Sequence, residues 1–319
     1  MGAVTATVRG EGPWRTSVHA VAVDADPDTV FGLLSDVRRW PWIFGPTVHA
    51  DYLERDGATE RLRIWATAGE RVRGWTSVRT RDTARRRISF QQSRPPAPVA
   101  AMTGEWRVAP SGPGTRVELR HEFRAVADSP ADLDRITEAV DRNSTAELGA
   151  LAAAAGIDPD ELLVDFTDTV ELPGPAAAAY ALLRDAGAWP ALLPHVRRVR
   201  LREEDEGVQW LEMDTAHGDE APHTTVSVRL CLPPDLIVYK QLTRPAFMAA
   251  HTGSWRLARE GGRLLAHARH TVLLDRAAAL AALGGAGSLA QARARVRAAL
   301  GGNSRATLER IAQAAGSAV

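Results

Sequence analysis

The chain has 319 residues, of which 45% are hydrophobic and 24% charged, a composition typical of a globular protein. Its 39 acidic and 39 basic residues balance, so no large net field draws it to nucleic acid or to an anionic membrane. The single cysteine, Cys231, excludes an internal disulfide and fits a reducing cytosol. Residues 1–14 lack the apolar core of a signal peptide, and no run is long enough to cross a bilayer. These features predict a soluble, cytoplasmic protein.

The first half of the chain predicts a strand, a short helix, a run of strands and a long helix. Residues 16–23 alternate like a strand, and Asp26-Pro27-Asp28 supplies the cap, the proline and the acid typical of a helix start. Ser129 is placed to cap a long helix that ends at Gly156. Between these two helices, turn residues separate strand-like segments at residues 48–55, 59–68, 71–81, 85–93, 102–110 and 114–123.

The second half predicts the same order of elements. It begins with a strand at residues 162–171 and a helix from Pro175. Strands follow within residues 196–274, and a helix at about 288–315 ends the pattern. Asp158-Pro159-Asp160 marks the join between the halves.

The two halves also repeat each other in sequence. The offset is 149 or 150 residues and grows to 160 at the last helix, with the extra residues assigned to the glycine-rich segment 284–287. A constant offset over many matches indicates a tandem repeat, so we predict two domains, residues 1–157 and 158–319. The matches include Trp40-Pro41 with Trp189-Pro190, Ser77-Val78-Arg79 with Ser227-Val228-Arg229, Thr103-Gly104-Glu105-Trp106 with Thr252-Gly253-Ser254-Trp255, Arg120-His121 with Arg269-His270, and Asn143-Ser144 with Asn303-Ser304.

This order of elements predicts the fold class. An antiparallel sheet of about seven strands cannot bury one face by itself, and a long amphipathic helix across it leaves an internal cavity. We therefore predict an α+β protein of two tandem helix-grip (START/Bet v 1-like) domains. In each, an antiparallel seven-stranded sheet wraps around a long C-terminal helix and encloses a ligand-sized cavity.

The predicted C-terminal helices carry asparagines close to their apolar stripes. Asn143 and Asn303 follow Val140 and Leu300 by three residues, which is helical spacing. A buried amide is costly unless it is hydrogen-bonded, so it should face a polar neighbour or a polar ligand. A cap on a neighbouring loop is an equally good interpretation.

Polar residues recur at equivalent strand positions in the two halves. Ser77 and Arg79 share one strand face, as do Ser227 and Arg229, and an inward arginine can hold a carbonyl or enolate oxygen. The alternative is a solvated strand face, since Arg71, Arg73 and Arg81 follow the same alternation. His121 and His270 can move protons near neutral pH, although a structural role is more common for a lone strand histidine.

The sequence predicts no metal site and no nucleotide cofactor. The remaining histidines lack the spacing with carboxylates or cysteine that builds a zinc site. No P-loop, G-x-G-x-x-G or G-x-S-x-G motif is present. Lys240 is the only lysine, which excludes Schiff-base chemistry almost everywhere.

Several motifs in order along the chain resemble one enzyme family. They are Arg63-Ile64-Trp65-Ala66, Trp75-Thr76-Ser77-Val78-Arg79, Thr103-Gly104-Glu105-Trp106, Asn143-Ser144 and Gly302-Asn303-Ser304-Arg305. With the doubled domain, the chain resembles the di-domain aromatase/cyclases of bacterial type II polyketide synthases. The resemblance implies a poly-β-ketone substrate on an acyl carrier protein, first-ring aldol closure of the C7–C12 type, dehydration to an aromatic ring, and no cofactor.

The resemblance also implies roles for individual residues. Arg79 would polarise a ketone oxygen, Ser77 and Asn143 would orient it, and His121 would shuttle protons. The equivalents in the second half are Arg229, Ser227, Asn303 and His270, and the tryptophans expected to shape the cavities are Trp40, Trp65, Trp75, Trp106, Trp189 and Trp255. Thr225 replaces the first-half Trp75, so we expect cyclisation in the first domain and dehydration or structural support from the second.

Two alternatives stay open from the sequence. A carrier that binds lipids or polyketides without catalysis can have the same fold, because fold does not fix function. The second domain can instead be a docking module for the carrier protein or the synthase. A polar cluster inside the cavity favours an enzyme, and a uniformly apolar cavity favours a carrier.

Overall fold

A computed structural model describes residues 4–9, 13–216, 223–284 and 287–316. The chain forms two compact units, Met1–Ile157 and Asp158–Val319. Among the described residues, no helix is both long enough and apolar enough to span a membrane.

The first unit contains an eight-stranded antiparallel sheet. Its spatial order is β1-β2-β8-β7-β6-β5-β4-β3. The strands are β1 (Thr5–Arg9), β2 (Trp14–Val23), β3 (Thr47–Asp56), β4 (Thr59–Ala68), β5 (Arg71–Asp82), β6 (Arg87–Gln92), β7 (Val99–Ser111) and β8 (Gly114–Ala125). The seven predicted strands are all present, and β1 is an additional edge strand that the sequence patterns did not predict.

The helices of the first unit are α1 (Pro27–Ser35), the short α2 (Trp40–Ile43) and the long α3 (Pro130–Ala155). Two of these three helices, α1 and α3, begin at the predicted caps. The Asp26 side chain accepts a hydrogen bond from the backbone N–H of Asp28, and Ser129 Oγ accepts one from Asp132. These bonds satisfy N–H groups that have no partner within the helix.

Helix α3 lies across β2 and β8 and forms one wall of the first unit's interior. Leu133, Ile136 and Val140 of α3 pack against Met102 and Phe123 of the sheet. Burial of each such side chain stabilises the fold by about 1.5–3 kcal/mol. The helix is therefore fixed with one face toward the sheet, as the helix-grip prediction requires.

The second unit repeats this architecture with seven antiparallel strands in the order β10-β11-β12-β13-β14-β15-β9. The strands are β9 (Leu163–Leu172), β10 (Val196–Asp205), β11 (Val208–Thr215), β12 (His223–Leu232), β13 (Leu236–Thr243), β14 (Met248–Glu260) and β15 (Arg263–Leu274). The helices are α4 (Pro159–Leu162), α5 (Ala176–Arg184), α6 (Trp189–Leu192), α7 (Arg276–Ala281) and α8 (Leu289–Gly316). Helix α7 was not predicted. The second half has extra residues between β15 and α8; the sequence places them at 284–287, but they also include α7. Of residues 284–287, Gly285 and Ala286 lie outside the described residues.

The glycines of the repeated Thr-Gly-x-Trp motif have a packing reason. A Cβ added to Gly104 would lie 2.2 Å from the ring of Phe90, and one added to Gly253 would lie 2.3 Å from the hydroxyl of Tyr239. In both units an aromatic ring from the neighbouring strand occupies the space that a side chain would fill. Because glycine has no side chain, it leaves room for that ring to pack against the inner face of the sheet.

Candidate functional site

Arg79 points inward, but its guanidinium is bound by the protein. It is 2% exposed, and Nε donates to Glu60 Oε2 at 2.6 Å. Nη1 donates to the carbonyl of Leu34 at 3.0 Å, and Nη2 donates to the carbonyl of Ser35. Burial lowers the pKa of Arg79, while the Glu60 carboxylate opposes this effect. These contacts join the C-terminal end of α1 to the sheet, and Nη2 also lies 3.4 Å from Tyr52 Oη, so a ketone oxygen would have to compete with four protein acceptors.

Arg229 forms the equivalent clamp in the second unit, without a direct carboxylate partner. Nη1 donates to Gln209 Oε1 at 2.8 Å, and Nη2 donates to the carbonyl of Leu183. Burial lowers the pKa of Arg229. The repeat thus preserves a buried guanidinium at the C-terminal end of α1 in the first unit and of α5 in the second. Its side-chain partner changes from Glu60 to Gln209.

The two strand serines are also buried beside the arginines. Ser77 Oγ donates to the carbonyl of Gln91 at 3.1 Å, and Ser227 is 8% exposed. The bond of Ser77 to the backbone is a structural contact. The substrate-orienting roles of both serines stay predictions.

The predicted inward position of the helix asparagines is wrong. Asn143 is exposed, whereas Ser144, the next residue, is buried. Adjacent helix residues differ by about 100° in direction, and the stripe through Val140 continues at the fourth residue rather than the third. Asn303 is half-buried and lines a groove of about 830 Å³ between α8 and the loop of Pro194 and His195, while Ser304 is buried.

The predicted tryptophans divide between the two faces of the sheets. Trp65 was predicted to line the cavity and does not, because the inward positions of β4 are held by Leu62 and Ile64. Its ring lies on the opposite face, with its centroid 5.5 Å from that of His49. The other five predicted tryptophans pack on the inner side of their sheets. They are Trp40, Trp75, Trp106, Trp189 and Trp255.

The first unit brings polar side chains together beneath α3. Ser144 Oγ lies 3.4 Å from His121 Nδ1, and the His121 ring meets Phe90 edge-to-face at 5.6 Å between centroids. Burial lowers the pKa of His121 to about 4, and nearby His19 adds to the effect. His121 is therefore a neutral imidazole near pH 7, with the lone pair that a proton acceptor needs.

Glu147 lies one turn after Ser144 on the inward stripe of α3. It is half-buried, and no described residue forms a hydrogen bond or ion pair with its carboxyl group. Burial raises the pKa of Glu147 to about 7. At neutral pH a substantial fraction of Glu147 is protonated, so this side chain can donate a proton.

A second polar contact fixes α3 to the sheet next to these residues. Ser17 Oγ donates to Asp141 Oδ1 at 2.9 Å, and His19 Nε2 lies 3.0 Å from the same oxygen. Burial lowers the pKa of His19, while Asp141 opposes the shift. Because Asp141 belongs to α3, these contacts hold the helix in register over His121.

Several inward side chains of the first unit keep accessible surface. Close-packed cores leave little accessible surface on inward side chains. Ser77, Arg79 and Leu119 meet that standard, each being almost fully buried. Other inward side chains are only half-buried, namely Trp75, Phe90, Gln92, His121 and Glu147. Partial exposure on an inward face indicates a chamber, bordered by the imidazole and the carboxyl group.

The second unit carries a longer chain of contacts at the equivalent place. His270 Nε2 lies 2.6 Å from Ser304 Oγ, and its Nδ1 lies 3.1 Å from both Tyr239 Oη and His251 Nε2. His251 Nδ1 lies 2.9 Å from Gln241 Oε1. These five side chains form a continuous hydrogen-bonded network between α8 and the sheet.

Burial keeps this network uncharged near neutral pH. It lowers the pKa of His270 to about 4 and that of His251 to about 3, and each imidazolium would also repel neighbouring positive charge. Burial raises the pKa of Tyr239. Two neutral imidazoles and a protonated phenol remain, which can exchange protons without carrying net charge.

The interiors of the two units therefore differ chemically while sharing a Ser–His pair. Glu147, Tyr239 and His251 were not predicted as site residues, although Glu147 falls on the apolar stripe of α3, four residues before Leu151. A carboxylate on such a stripe is the pattern that could have revealed it. The equivalent positions that differ are Phe90 and Tyr239, Met102 and His251, and Glu147 and Thr307.

Acid is expected to destabilise the wild-type chain more than a His251→Met variant. The pKa of His251 is about 3 in the fold against 6.5 ordinarily, so its stabilising contribution is complete above pH 6.5 and is lost as the pH falls toward 3. Met102 occupies the equivalent position in the first unit, so methionine suits the site. Thermal unfolding at pH 7 and pH 5 should show an extra loss of about 1–2 kcal/mol in the wild type. Equal losses in both proteins would contradict this assignment.

Comparisons with known proteins agree with the fold and the repeat. The family model for polyketide cyclase / dehydrase and lipid transport proteins matches the chain twice, at residues 15–156 and 164–316. The chain is 45% identical over 303 residues to the granaticin polyketide synthase bifunctional cyclase/dehydratase of Streptomyces violaceoruber, with 94% of each chain covered. It is 42% identical over 313 residues to the actinorhodin polyketide synthase bifunctional cyclase/dehydratase of Streptomyces coelicolor, covering 94% of this chain and 97% of that protein.

Solved structures give the same result. The di-domain ARO/CYC BexL from the BE-7585A biosynthetic pathway matches with a TM-score of 0.87 at 46% identity, covering 94% of this chain and 98% of BexL. The di-domain ARO/CYC StfQ from the steffimycin pathway matches with a TM-score of 0.85 at 31% identity and the same coverage. The predicted tandem helix-grip fold is confirmed. The chain belongs to the family of polyketide cyclases/dehydrases and lipid transport proteins and carries two copies of its domain.

Proposed function

We propose that this chain is a cytoplasmic, cofactor-independent polyketide cyclase and dehydratase of the lyase type. Its substrate is a poly-β-ketone held on an acyl carrier protein, and its product is the first ring, closed in the C7–C12 manner and aromatised by loss of water. The main support is the first unit's interior, where a neutral imidazole and a protonatable carboxyl group border one chamber. A uniformly apolar chamber would have favoured a carrier.

Ring closure needs one proton acceptor and one proton donor. With Nδ1–H directed at Ser144, His121 offers Nε2 as the base that removes an acidic proton between two ketones. The resulting enolate attacks a second ketone, and Glu147 donates a proton to the oxygen of that ketone as the carbon–carbon bond forms. The two groups suit these roles because burial moves their pKa values in opposite directions.

The walls of the chamber supply the regiochemistry. Trp75, Phe90 and Trp106 are rigid aromatic surfaces on the inner face of the sheet. Against such surfaces a flexible poly-β-ketone has few ways to fold. Holding the two reacting carbons together can lower the activation barrier by about 7–11 kcal/mol. The same walls exclude water that would otherwise divert the enolate.

A His121→Gln variant tests this function in a synthase reconstituted with the acyl carrier protein. Glutamine retains a polar contact for Ser144 but cannot act as a base, so the correctly cyclised product should fall by about 100-fold. Arg120→Gln is the matched control, because Arg120 is the adjacent residue and pairs with Glu122 at the surface. If the wild-type protein binds the poly-β-ketone without changing the product profile, it is a carrier instead.

A further inference from the structure

The hydrogen bonds of the second unit's network admit two self-consistent sets of protons. The Gln241 oxygen accepts a bond, which places the proton of His251 on Nδ1 and leaves Nε2 as an acceptor. His270 then donates from Nδ1, and its Nε2 accepts the hydroxyl proton of Ser304. Rotation of the Gln241 amide reverses every donor along the chain. The same atoms thus support proton movement in either direction.

Tyr239 is the end of this network that reaches open space. It is half-buried, whereas Ser304, His251 and His270 are 4% exposed or less. Its hydroxyl lies over Gly253, where any side chain would collide with it. The phenol is therefore held between His270 Nδ1 and the interior of the second unit.

We propose that Tyr239 and His270 form a proton relay that removes water from the cyclised β-hydroxy ketone in the second unit. This inference rests on the function proposed above and assigns the dehydration step to specific atoms. Phe90 and Met102 stand at the positions of Tyr239 and His251 in the first unit, so this relay is absent from the equivalent described residues there. The two units would then act one after the other on the same polyketide.

Each proton in the step has a defined donor and acceptor. With His270 Nδ1 as the acceptor, Tyr239 Oη takes the α-proton of the β-hydroxy ketone and passes its own proton to His270 Nδ1, which leaves an enolate beside the imidazolium. Tyr239 then gives a proton to the departing hydroxyl group, and His270 Nδ1 returns its proton to Tyr239 Oη. The electron pair of the C–H bond becomes the new C=C bond by way of the enolate, the C–O bond breaks, and one water molecule leaves. Ser304 Oγ, which is buried, accepts from His270 Nε2 and does not touch the substrate, and His251 is a positioning residue throughout.

A Tyr239→Phe variant tests the relay in the full-length chain. The ring is retained, and Phe90 shows that phenylalanine is accommodated at this position of the fold. We expect the rate of dehydration to fall by about 100-fold, with accumulation of the hydroxylated cyclised adduct at early times. Arg263→Gln is the matched control, because Arg263 begins the strand that carries His270 and its side chain is 64% exposed.

Isotope effects separate a relay from a structural role. Dehydration by the wild type should show a solvent deuterium effect with a curved proton inventory, because several protons move together, and Tyr239→Phe should lose the curvature. Unchanged dehydration in both Tyr239→Phe and His270→Gln would overturn the relay. Failure of the wild type to form any cyclised adduct would instead overturn the proposed function, so the two failures are distinguishable.

Discussion

An Arg79→Ala variant is expected to lose about 3–5 kcal/mol of stability in the first unit, because a buried, fully bonded charge is removed. The Glu60 carboxylate, 0% exposed, loses the partner at 2.6 Å and, among the described residues, keeps Arg55 and Arg81, each at 3.1 Å. The carbonyls of Leu34 and Ser35 lose their donors at the end of α1. Each buried acceptor left unpaired costs about 1–3 kcal/mol.

Hydrogen exchange of α1 and β5 measures this loss locally, and thermal unfolding measures it globally. Arg229→Ala is the matched comparison, since its side-chain acceptor is the neutral Gln209, and we expect a smaller loss of about 1–3 kcal/mol. Glu60→Gln reproduces the arrangement of the second unit in the first and should be better tolerated than Arg79→Ala. A fully stable Arg79→Ala protein that fails only in ring closure would support the ketone-anchoring role and contradict the clamp.

Arg79 shows what a sequence can and cannot predict about a site. The alternation of β5 predicted that Arg79 and Ser77 share a face, because that follows from local geometry, while the choice of the interior over solvent came from the repeat and the family resemblance. Its partners were not predictable, since Glu60 and Tyr52 lie on other strands and the remaining acceptors are backbone carbonyls at the end of α1. Carbonyl positions depend on tertiary packing, and a repeat alignment carries no information about them.

The elements were predicted closely where local chemistry determines them. Alternation and turn residues located the strands, and caps located the start of α3, because these are interactions among near neighbours. β1 was missed because five residues at a sheet edge are specified by pairing with β2 rather than by their own pattern. Asn143 was misplaced because a one-residue error in a helix rotates a side chain by about 100°.

A Glu147→Gln variant is expected to lose cyclisation by about 100-fold and yet gain stability above neutral pH. The pKa of Glu147 is about 7 in the fold against 4.5 ordinarily, so the folded state binds its proton more tightly than the unfolded chain does. Its stabilising contribution is complete below pH 4.5 and is lost as the pH rises through 7. Glutamine mimics the protonated form at every pH and cannot donate an acidic proton.

Unfolding at two pH values separates the two effects. At pH 8 the variant should be more stable than the wild type by about 1–3 kcal/mol, and at pH 5 the two should agree. Glu138→Gln is the control, because Glu138 lies on the same helix with its side chain 74% exposed and should change neither stability nor product. A variant that cyclises normally would remove Glu147 from the mechanism. Lost activity with gained stability would show that the carboxyl group is retained for chemistry at a cost to the fold, which no structural role explains.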